Sequence, residues 1–412
     1  MGHFKKYIDI YLLNYLLLII YFVFFSSLHI NINGGILFTT IDSITYLNTS
    51  DEFYKFSETG YSYIRPFLYP LIILLVYKSF GATALWMMQL LFWLISINLI
   101  FFSVKRVTRN RALSYVSGLL MALNFSYFGL TMQCLTEVTA LLFMSVLVYF
   151  ITHNFKDASG LKFFHGSLFI LVLLTVLKPV FILPLILMLF IILPFFYLKK
   201  YFQTPKSIVI LVFVIIPLLF QITLMKIKYN TFSISSISTE TYRNYILAQG
   251  VIQIENSSLE EARKKTINFS TSEVREYLIA NKSVYIDIYL QNLKTNMNAF
   301  PGFLLGTRQF IYPQYVRYMD ILNTFYYWLH LIFILPLIVI LFLLYKQREM
   351  SYFILTIFCY ILAYYIFLTS PVSFGEGDRL IITALPVWVF LYALTFSYFL
   401  NYFKVKTGRE VI

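Results

Sequence analysis

The sequence has few charged residues and few of the residues that build metal sites or disulfides. Asp, Glu, Lys and Arg together make up 12% of the 412 residues, about half the usual share of a soluble domain. The two cysteines, Cys134 and Cys359, lie in apolar runs, and the five histidines show no metal-ligand spacing. This composition predicts neither a disulfide framework nor a zinc site. We therefore expect no cofactor, and the sequence does not determine whether the protein depends on a divalent metal.

Apolar and aromatic side chains are present in large excess. Hydrophobic residues make up 59% of the chain and aromatic residues 20%, which a soluble domain could not carry. The sequence thus predicts an all-α, polytopic integral membrane protein that contacts membrane lipids. The formal net charge is +13, but basic residues in such a chain chiefly set its orientation, so nucleic acid is not indicated as a partner.

The basic clusters predict the topology. A basic start precedes the apolar run 10–27, and no cleavage site follows it, so we expect a retained first span with a cytoplasmic N-terminus. Residues 67–80 are too short to span and read as an interfacial helix, whereas a second span at 84–104 keeps the basic cluster 105–111 in the cytoplasm. Further spans are predicted at 112–130, 135–153, 162–178, 179–198, 207–225, 323–345, 351–369 and 380–403, which makes ten and leaves both termini in the cytoplasm.

This topology divides the chain into three parts. An N-terminal transmembrane module, 1–225, includes the outer loop 31–83, and the C-terminal helices occupy 323–412. Between them lies the long polar loop 226–322, which span counting places outside the cell as a lid over the membrane module. Its residues 258–282 are compatible with helix, but its core positions are too sparse to indicate an independently folding unit.

The first outer loop carries an unusual set of polar side chains. Asp42 and Tyr46 are four residues apart, so on a helix they share one face. Arg65 precedes a proline, which biases it away from helical backbone. Asp51 and Tyr69 lie in the same loop. The sequence therefore gathers an acid, a phenol and a guanidinium at one boundary between water and lipid.

Three further charges lie close to the outer ends of predicted spans: Glu137, Lys178 and Arg379. Ionisable groups next to hydrocarbon are costly and are functional candidates for that reason. Snorkelling to lipid head groups is the alternative explanation for Lys178 and Arg379. For Glu137, which stands at a predicted helix start, a favourable interaction with the helix dipole explains its position equally well.

The order and sidedness of these motifs resemble those of the polyprenyl-phosphate-dependent glycosyltransferases of the GT-C class, in the branch of the protein mannosyltransferases and aminoarabinose transferases (glycosyltransferase family 39). The resemblance covers most of residues 1–200 and, more weakly, 370–395. The residues that carry it are Asp42-Ser-Ile-Thr-Tyr46, Arg65-Pro-Phe-Leu-Tyr-Pro70, Thr136-Glu137, Lys178-Pro179, and Arg379 ahead of Pro386.

The resemblance implies a GT-C-like bundle of about ten transmembrane helices, with interfacial helices in the first outer loop and one long extracytoplasmic loop. It also implies that Asp42 is the catalytic carboxylate and that Arg65 contacts the lipid phosphate. We expect Lys178 and Arg379 to support the phosphate. The expected substrate-binding residues are Tyr46, Asp51, Tyr69 and Glu137.

The expected activity is transfer of a sugar from a polyprenyl-phosphate carrier to a glycan, lipid or protein acceptor, at the outer face of the cytoplasmic membrane. Such a reaction leaves a phosphate anion and needs a deprotonated acceptor, so a carboxylate base and fixed cations are the parts it requires. Two alternatives are a polysaccharide polymerase or ligase and a transporter or lipid flippase. Against transport, the sequence shows no inverted repeat and no pair of broken spans with midplane charges.

Overall fold

The structure is a computed structural model. It describes residues 2–27, 41–55, 60–154, 161–190, 206–298, 328–346, 350–372 and 381–406, together with four single positions between 317 and 325. The described residues form helices joined by short turns and contain no β-strand. The prediction of an all-α protein is therefore confirmed.

The N-terminal part begins with two helices that differ in character. Helix α1, Gly2–Ser27, is apolar, whereas α2, Ile41–Lys55, is polar and begins at the Asp42 motif. A single turn, α3, Tyr61–Ile64, follows. Together α2 and α3 hold the polar side chains that the sequence places in the first outer loop.

Helix α4 runs from Leu68 to Thr108 and is sharply bent near its start. Gly81 lies inside it with non-helical backbone angles, φ 84° and ψ 179°, a conformation that glycine adopts without steric cost. The residues after this bend form a helix about 40 Å long, at about 1.5 Å per residue, which exceeds the roughly 30 Å of bilayer hydrocarbon. The bend falls where the sequence predicts the boundary between 67–80 and 84–104.

The predicted span at 112–130 is wrong as a single helix. The chain instead forms α5, Arg111–Ala122, and a short α6, Phe125–Leu130. The break occurs because the side chain of Asn124 accepts a hydrogen bond from the backbone N–H of Tyr127, at 2.9 Å, and starts a new helix. At about 1.5 Å per residue, α5 is roughly 18 Å long, too short to cross hydrocarbon alone.

The next helices are apolar: α7, Glu137–Asn154, α8, Leu161–Leu177, α9, Pro179–Phe190, and α10, Lys206–Tyr229. Most of the apolar stretch of α7 is buried against its neighbours, whereas α10 leaves most of its own exposed. A helix that is apolar on all sides and still exposed suits contact with lipid. Helix α7 therefore belongs to the core of the bundle and α10 to its periphery.

Residues 237–298 form a polar helical region between the two groups of apolar helices. Its helices are α11, at 237–255, α12, Leu259–Ile267, α13, Thr271–Ala280, and α14, Lys282–Asn298. Capping boxes at Ser258 and Ser270 start α12 and α13, where each serine and the glutamate three residues later satisfy backbone N–H groups. Only two small apolar clusters lie inside the region. The polar helical region therefore has few buried apolar residues, as the sequence indicates.

The C-terminal helices are α15, Trp328–Lys346, α16, Met350–Thr369, and α17, Leu385–Lys406. Helix α17 is buried along most of its length. Helix α14 of the polar helical region is tied to the end of α16. The Tyr289 hydroxyl donates to the Leu368 carbonyl at 2.6 Å, and the Asn292 amide donates to the Pro371 carbonyl at 2.9 Å. The polar helical region thus rests on the membrane helices.

Six of the described helices are long and apolar enough to cross a membrane. Three shorter apolar helices occur at Tyr7–Val23, Leu161–Leu177 and Pro179–Phe190. Six rather than ten is therefore the number of spanning helices that length and composition support in the described part of the chain. A polytopic, all-α membrane protein is nevertheless what these helices indicate.

Candidate functional site

The face of α2 that bears Asp42 and Tyr46 contacts Arg65. As the four-residue spacing predicts, both side chains lie on one side of the helix and both bond to the Arg65 guanidinium. Asp42 stands in the first turn of α2, where a negative charge interacts favourably with the helix dipole. Helix formation by these residues is thus what brings the acid and the phenol to the same cation.

The turn that carries Arg65 is built by three local features. Gly60 takes a left-handed conformation at φ 85°, and the buried Glu52 carboxylate accepts the backbone N–H groups of Tyr61 and Ser62 at 3.0 and 2.7 Å. Arg65 itself is extended, with φ −110° and ψ 126°, as expected ahead of Pro66. Glu52 is therefore a structural acid, because it fixes the start of the turn that ends in Arg65.

The guanidinium of Arg65 is engaged along three of its N–H directions. Its Nε donates to Thr45 Oγ1 at 2.8 Å, Nη1 to the Tyr46 hydroxyl at 3.3 Å, and Nη2 to Asp42 Oδ1 at 2.6 Å. The carbon of the guanidinium also lies 4.4 Å from the centre of the Tyr46 ring. A planar fork is required for this set of bonds, and the point charge of a lysine could not replace it.

Helix α10 clamps the Arg65 turn from the other side. The side-chain oxygen of Gln221 accepts the backbone N–H of Phe67 at 3.0 Å, and its nitrogen donates to the Ile234 carbonyl at 2.6 Å. The backbone N–H of Ser236 donates to the Tyr63 carbonyl at 2.9 Å. These bonds join the Arg65 turn to the segment that leads into the polar helical region.

A second ion pair joins α7 to α8. Lys178 Nζ lies 3.2 Å from Glu137 Oε1. Glu137 is in the first turn of α7, as predicted, and the Thr136 hydroxyl donates to its other oxygen at 3.4 Å. Lys178 follows the last residue of α8 and is extended ahead of Pro179. The proline that ends α8 thus turns the lysine toward the start of α7.

Both ion pairs line one cavity of about 520 Å³, which we call the charged cavity. Its walls come from α2, the Arg65 turn, the start of α7, residues 178–183, the end of α16 and the start of α11. The structure therefore brings together five residues that the sequence singles out. These are Asp42, Tyr46, Arg65, Glu137 and Lys178.

The other predicted site residues are placed differently. Asp51 points away from the charged cavity and pairs with Lys78 of α4 at 2.6 Å. Tyr69 is buried behind Tyr46, with the two ring centres 5.1 Å apart, and donates a 3.3 Å hydrogen bond to Gln89. Neither residue lines the charged cavity. Arg379 lies outside the described residues.

Sequence reasoning missed the contribution of α11. Glu240, Asn244 and Tyr245 line the charged cavity from the side of the polar helical region. The Asn244 amide donates to the Glu240 carboxylate at 3.1 Å. The spacing of four residues could have indicated that pair, but no local signal indicates that α11 packs over the Arg65 turn.

The two ion pairs differ in which partner is buried, the base in the first pair and the acid in the second. In the first pair the Arg65 side chain is 9% exposed and Asp42 32%, whereas in the second Glu137 is fully buried and Lys178 is 15% exposed. The groups that a ligand in the charged cavity would meet first are therefore one carboxylate and one ammonium. Each is held from behind by a buried partner of opposite charge.

Tyr46 completes the first pair as a neutral group. Burial raises the pKa of its phenol above the ordinary value, and the Arg65 charge acts against that rise without cancelling it. The phenol therefore stays protonated at neutral pH and accepts the Arg65 hydrogen bond through its oxygen. Tyr46 orients the guanidinium, and Asp42 contributes a carboxylate to the charged cavity.

No group of three or more His, Cys, Asp or Glu side chains suited to a metal ion occurs among the described residues. Comparisons with family models, curated proteins and solved structures gave no match for this chain. Evidence for function therefore comes from the geometry of the charged cavity and from the motifs that line it.

Proposed function

We propose that this protein is a membrane glycosyltransferase that moves a sugar from a polyprenyl-phosphate carrier to an acceptor hydroxyl. The observation that carries the proposal is that two ion pairs line one cavity and that the acid is the more exposed partner in one pair and the base in the other. It leaves Asp42 accessible as a base and Lys178 accessible as a cation. Sugar transfer from a lipid phosphate needs both groups within reach of one reaction centre.

In the proposed reaction an acceptor oxygen attacks the anomeric carbon of the donor sugar. The bond between that carbon and the phosphate oxygen breaks, and the phosphate leaves with the bonding electron pair. The acceptor's proton passes to the carboxylate of Asp42. Positioned bases of this kind contribute about 10²–10⁴-fold to rate.

Lys178 and Arg65 would hold the phosphate. Lys178 is the cation that the charged cavity exposes, and the buried Glu137 fixes its position. Arg65 already binds Asp42, Thr45 and Tyr46, so an entering phosphate would share its charge. Arg65 in this scheme orients the base and adds positive potential, and Lys178 makes the first contact with the phosphate.

The proposed donor follows from sidedness. Basic residues at the far end of α4 and the start of α5 favour a cytoplasmic position for that end, and in this proposed orientation the charged cavity faces outward. Nucleotide-sugars are made in the cytoplasm and are too highly charged to cross a bilayer unaided. A sugar donor at the outer face must therefore arrive on a lipid.

A reconstituted assay tests the proposal. Purified full-length protein in liposomes would receive a panel of glycoside acceptors with either polyprenyl-phosphate sugars or the matching nucleotide-sugars, and the glycosylated acceptor would be measured together with the released leaving group, polyprenyl phosphate or nucleotide. We expect turnover with the lipid donors only. Glu260→Gln is the matched control for variants of the acids that line the charged cavity. Glu260 is an exposed acid of the polar helical region, and its side chain is 80% accessible. Turnover with nucleotide-sugars alone would refute the mechanism.

A further inference from the structure

Helix α11 supplies the charged cavity with a wall whose chemistry differs from that of the membrane helices. The membrane side contributes the cations Arg65 and Lys178, each already paired with an acid. The α11 side contributes Glu240, Asn244 and Tyr245. Among the described residues no cation lies within ion-pair distance of Glu240. This wall therefore carries uncompensated negative charge.

The α11 wall is held in place by bonds from outside the charged cavity. Arg263 of α12 donates from Nε to the Asn244 carbonyl at 3.0 Å and lies 5.4 Å from the centre of the Tyr245 ring. Arg243 donates to the carbonyls of Ile267 and Phe269 at 3.1 and 2.8 Å. Both arginines are thus occupied on the outer side of α11, and the polar groups on the inner side are preorganised.

The backbone of α11 is also irregular where it meets the charged cavity. Residues Tyr242–Leu247 form a π-helix, a rare form that occurs mostly as single turns and often at functional sites. Asn244 and Tyr245 lie within that turn. Both residues line the charged cavity together with Glu240.

We infer that the α11 wall binds the acceptor and that the acceptor is a neutral or amino sugar rather than an acidic one. This inference rests on the proposed function. Carboxylate and amide oxygens accept the hydroxyl and ammonium protons of such a ligand, and a tyrosine ring packs against the apolar face of a sugar. A uronic acid or a phosphorylated acceptor would meet Glu240 with like charge.

Direct binding to the full-length protein in nanodiscs, without any donor, tests the inference. The probes are a panel of neutral methyl glycosides, a methyl glycoside of an amino sugar, and the uronic acid counterparts, titrated over the millimolar range. We expect at least one neutral or amino glycoside to bind, and its uronic acid counterpart to bind at least about tenfold more weakly. We expect Glu240→Gln to weaken binding about tenfold, the effect of one charge-assisted hydrogen bond, and Asn244→Ala to weaken it about threefold, because a neutral amide makes a weaker bond.

Glu260→Gln is again the control and should bind like the wild type, and thermal midpoints of all variants would verify folding. Binding that is equal in wild type and Glu240→Gln, tighter binding of the uronic acids, or no binding by the wild type would overturn the inference. Because no donor is present, these results do not depend on turnover. Absence of transfer with intact, Glu240-dependent binding would instead refute the proposed function alone.

Discussion

Ion pairs of the same side-chain types lie next to the two ends of helix α4, and they differ in which partner is buried. At the far end Asp9 of α1 is 7% exposed and binds Lys105 and Arg111, which are 36% and 57% exposed. At the near end the arginine is buried and Asp42 is the accessible partner. The Asp9 cluster joins three helices through bases at the surface, whereas the Arg65 pair presents its acid to the charged cavity and the Glu137 pair presents its lysine there.

The Asp9 cluster is an ion-pair cluster with a structural role. Asp9 Oδ1 lies 2.5 Å from Arg111 Nε and accepts a 3.2 Å hydrogen bond from the Tyr115 hydroxyl. These contacts connect α1 to α4 and α5 where those helices meet.

The largest expected effect is all-or-none labelling by a membrane-impermeant maleimide. A cysteine in place of the exposed Ser272, in the polar helical region, should react in intact cells, whereas one in place of Arg106 should react only after permeabilisation. Both native cysteines are buried, so background is low. Labelling of position 106 from outside would reverse the proposed orientation and the donor argument with it.

Next in size is the contrast between two Asp→Asn substitutions. Asp42→Asn should lower turnover by about 10²–10⁴-fold, because an amide keeps the shape but takes no proton, and it should also lower stability by about 1–3 kcal/mol, because it weakens the hydrogen bond to the buried Arg65 charge. Asp9→Asn should lower stability by about 1–3 kcal/mol, since it weakens buried hydrogen bonds to charged groups, and should spare turnover per folded molecule. Near wild-type turnover of Asp42→Asn would remove that residue from the mechanism.

Replacement of Arg65 tests whether its fork matters beyond its charge. Arg65→Lys keeps a cation but loses the simultaneous bonds to Thr45, Tyr46 and Asp42, so we expect turnover to fall about tenfold. Arg65→Ala strands the phosphate and the acid, at a cost of about 2–5 kcal/mol in transition-state stabilisation. Equal activity of the lysine and wild-type proteins in the liposome assay would show that charge alone suffices.

Lys178→Gln should separate binding from chemistry. Loss of the accessible ammonium weakens the grip on the phosphate, so we expect KM for the lipid donor to rise about tenfold, with a smaller change in kcat. Asp42→Asn should show the opposite split. Unchanged kcat and KM for Lys178→Gln would move the phosphate contact away from this residue, whereas a fall in kcat alone would mean that the contact forms in the transition state.

The smallest effect is pH dependence in the polar helical region. Hydrogen bonds from Lys265 and Tyr277 lower the pKa of Glu255. Its stabilising contribution is therefore complete above the unfolded-state pKa of about 4.3 and is lost as pH falls through the lower folded-state value. The exposed pair contributes at most about 1 kcal/mol. Hydrogen exchange in α12 should differ between wild type and Lys265→Met at pH 7 and converge in acid.

Local rules predicted much of the charged cavity. Spacing along α2 placed Asp42 and Tyr46 on one face, and the following proline made Arg65 extended. The same geometry explains why Asp51 is elsewhere. At about 100° per residue, the nine positions from Asp42 turn it to the opposite side of α2, where it meets Lys78. The position of Asp51 on the opposite side of α2 could therefore also have been predicted from the sequence.

Long-range contacts could not be predicted in this way. Lys178 meets Glu137 across 41 residues of sequence, and the pairing depends on how α7 packs against α8. The arrival of Glu240 at the charged cavity depends on the position of the whole polar helical region. The break at Asn124 was missed because an asparagine in an apolar run reads as a tolerated polar residue until its side chain is seen to cap a helix.

The bond between Phe67 and Gln221 also has a consequence for how the chain is made. The two residues are 154 positions apart, so a ribosome working at about 5–20 residues per second needs roughly 8–30 s to pass from one to the other. During that interval the nascent chain already contains Asp42 and Arg65 but not the amide that clamps their turn. Translation must proceed through α10 before this turn can acquire its final geometry.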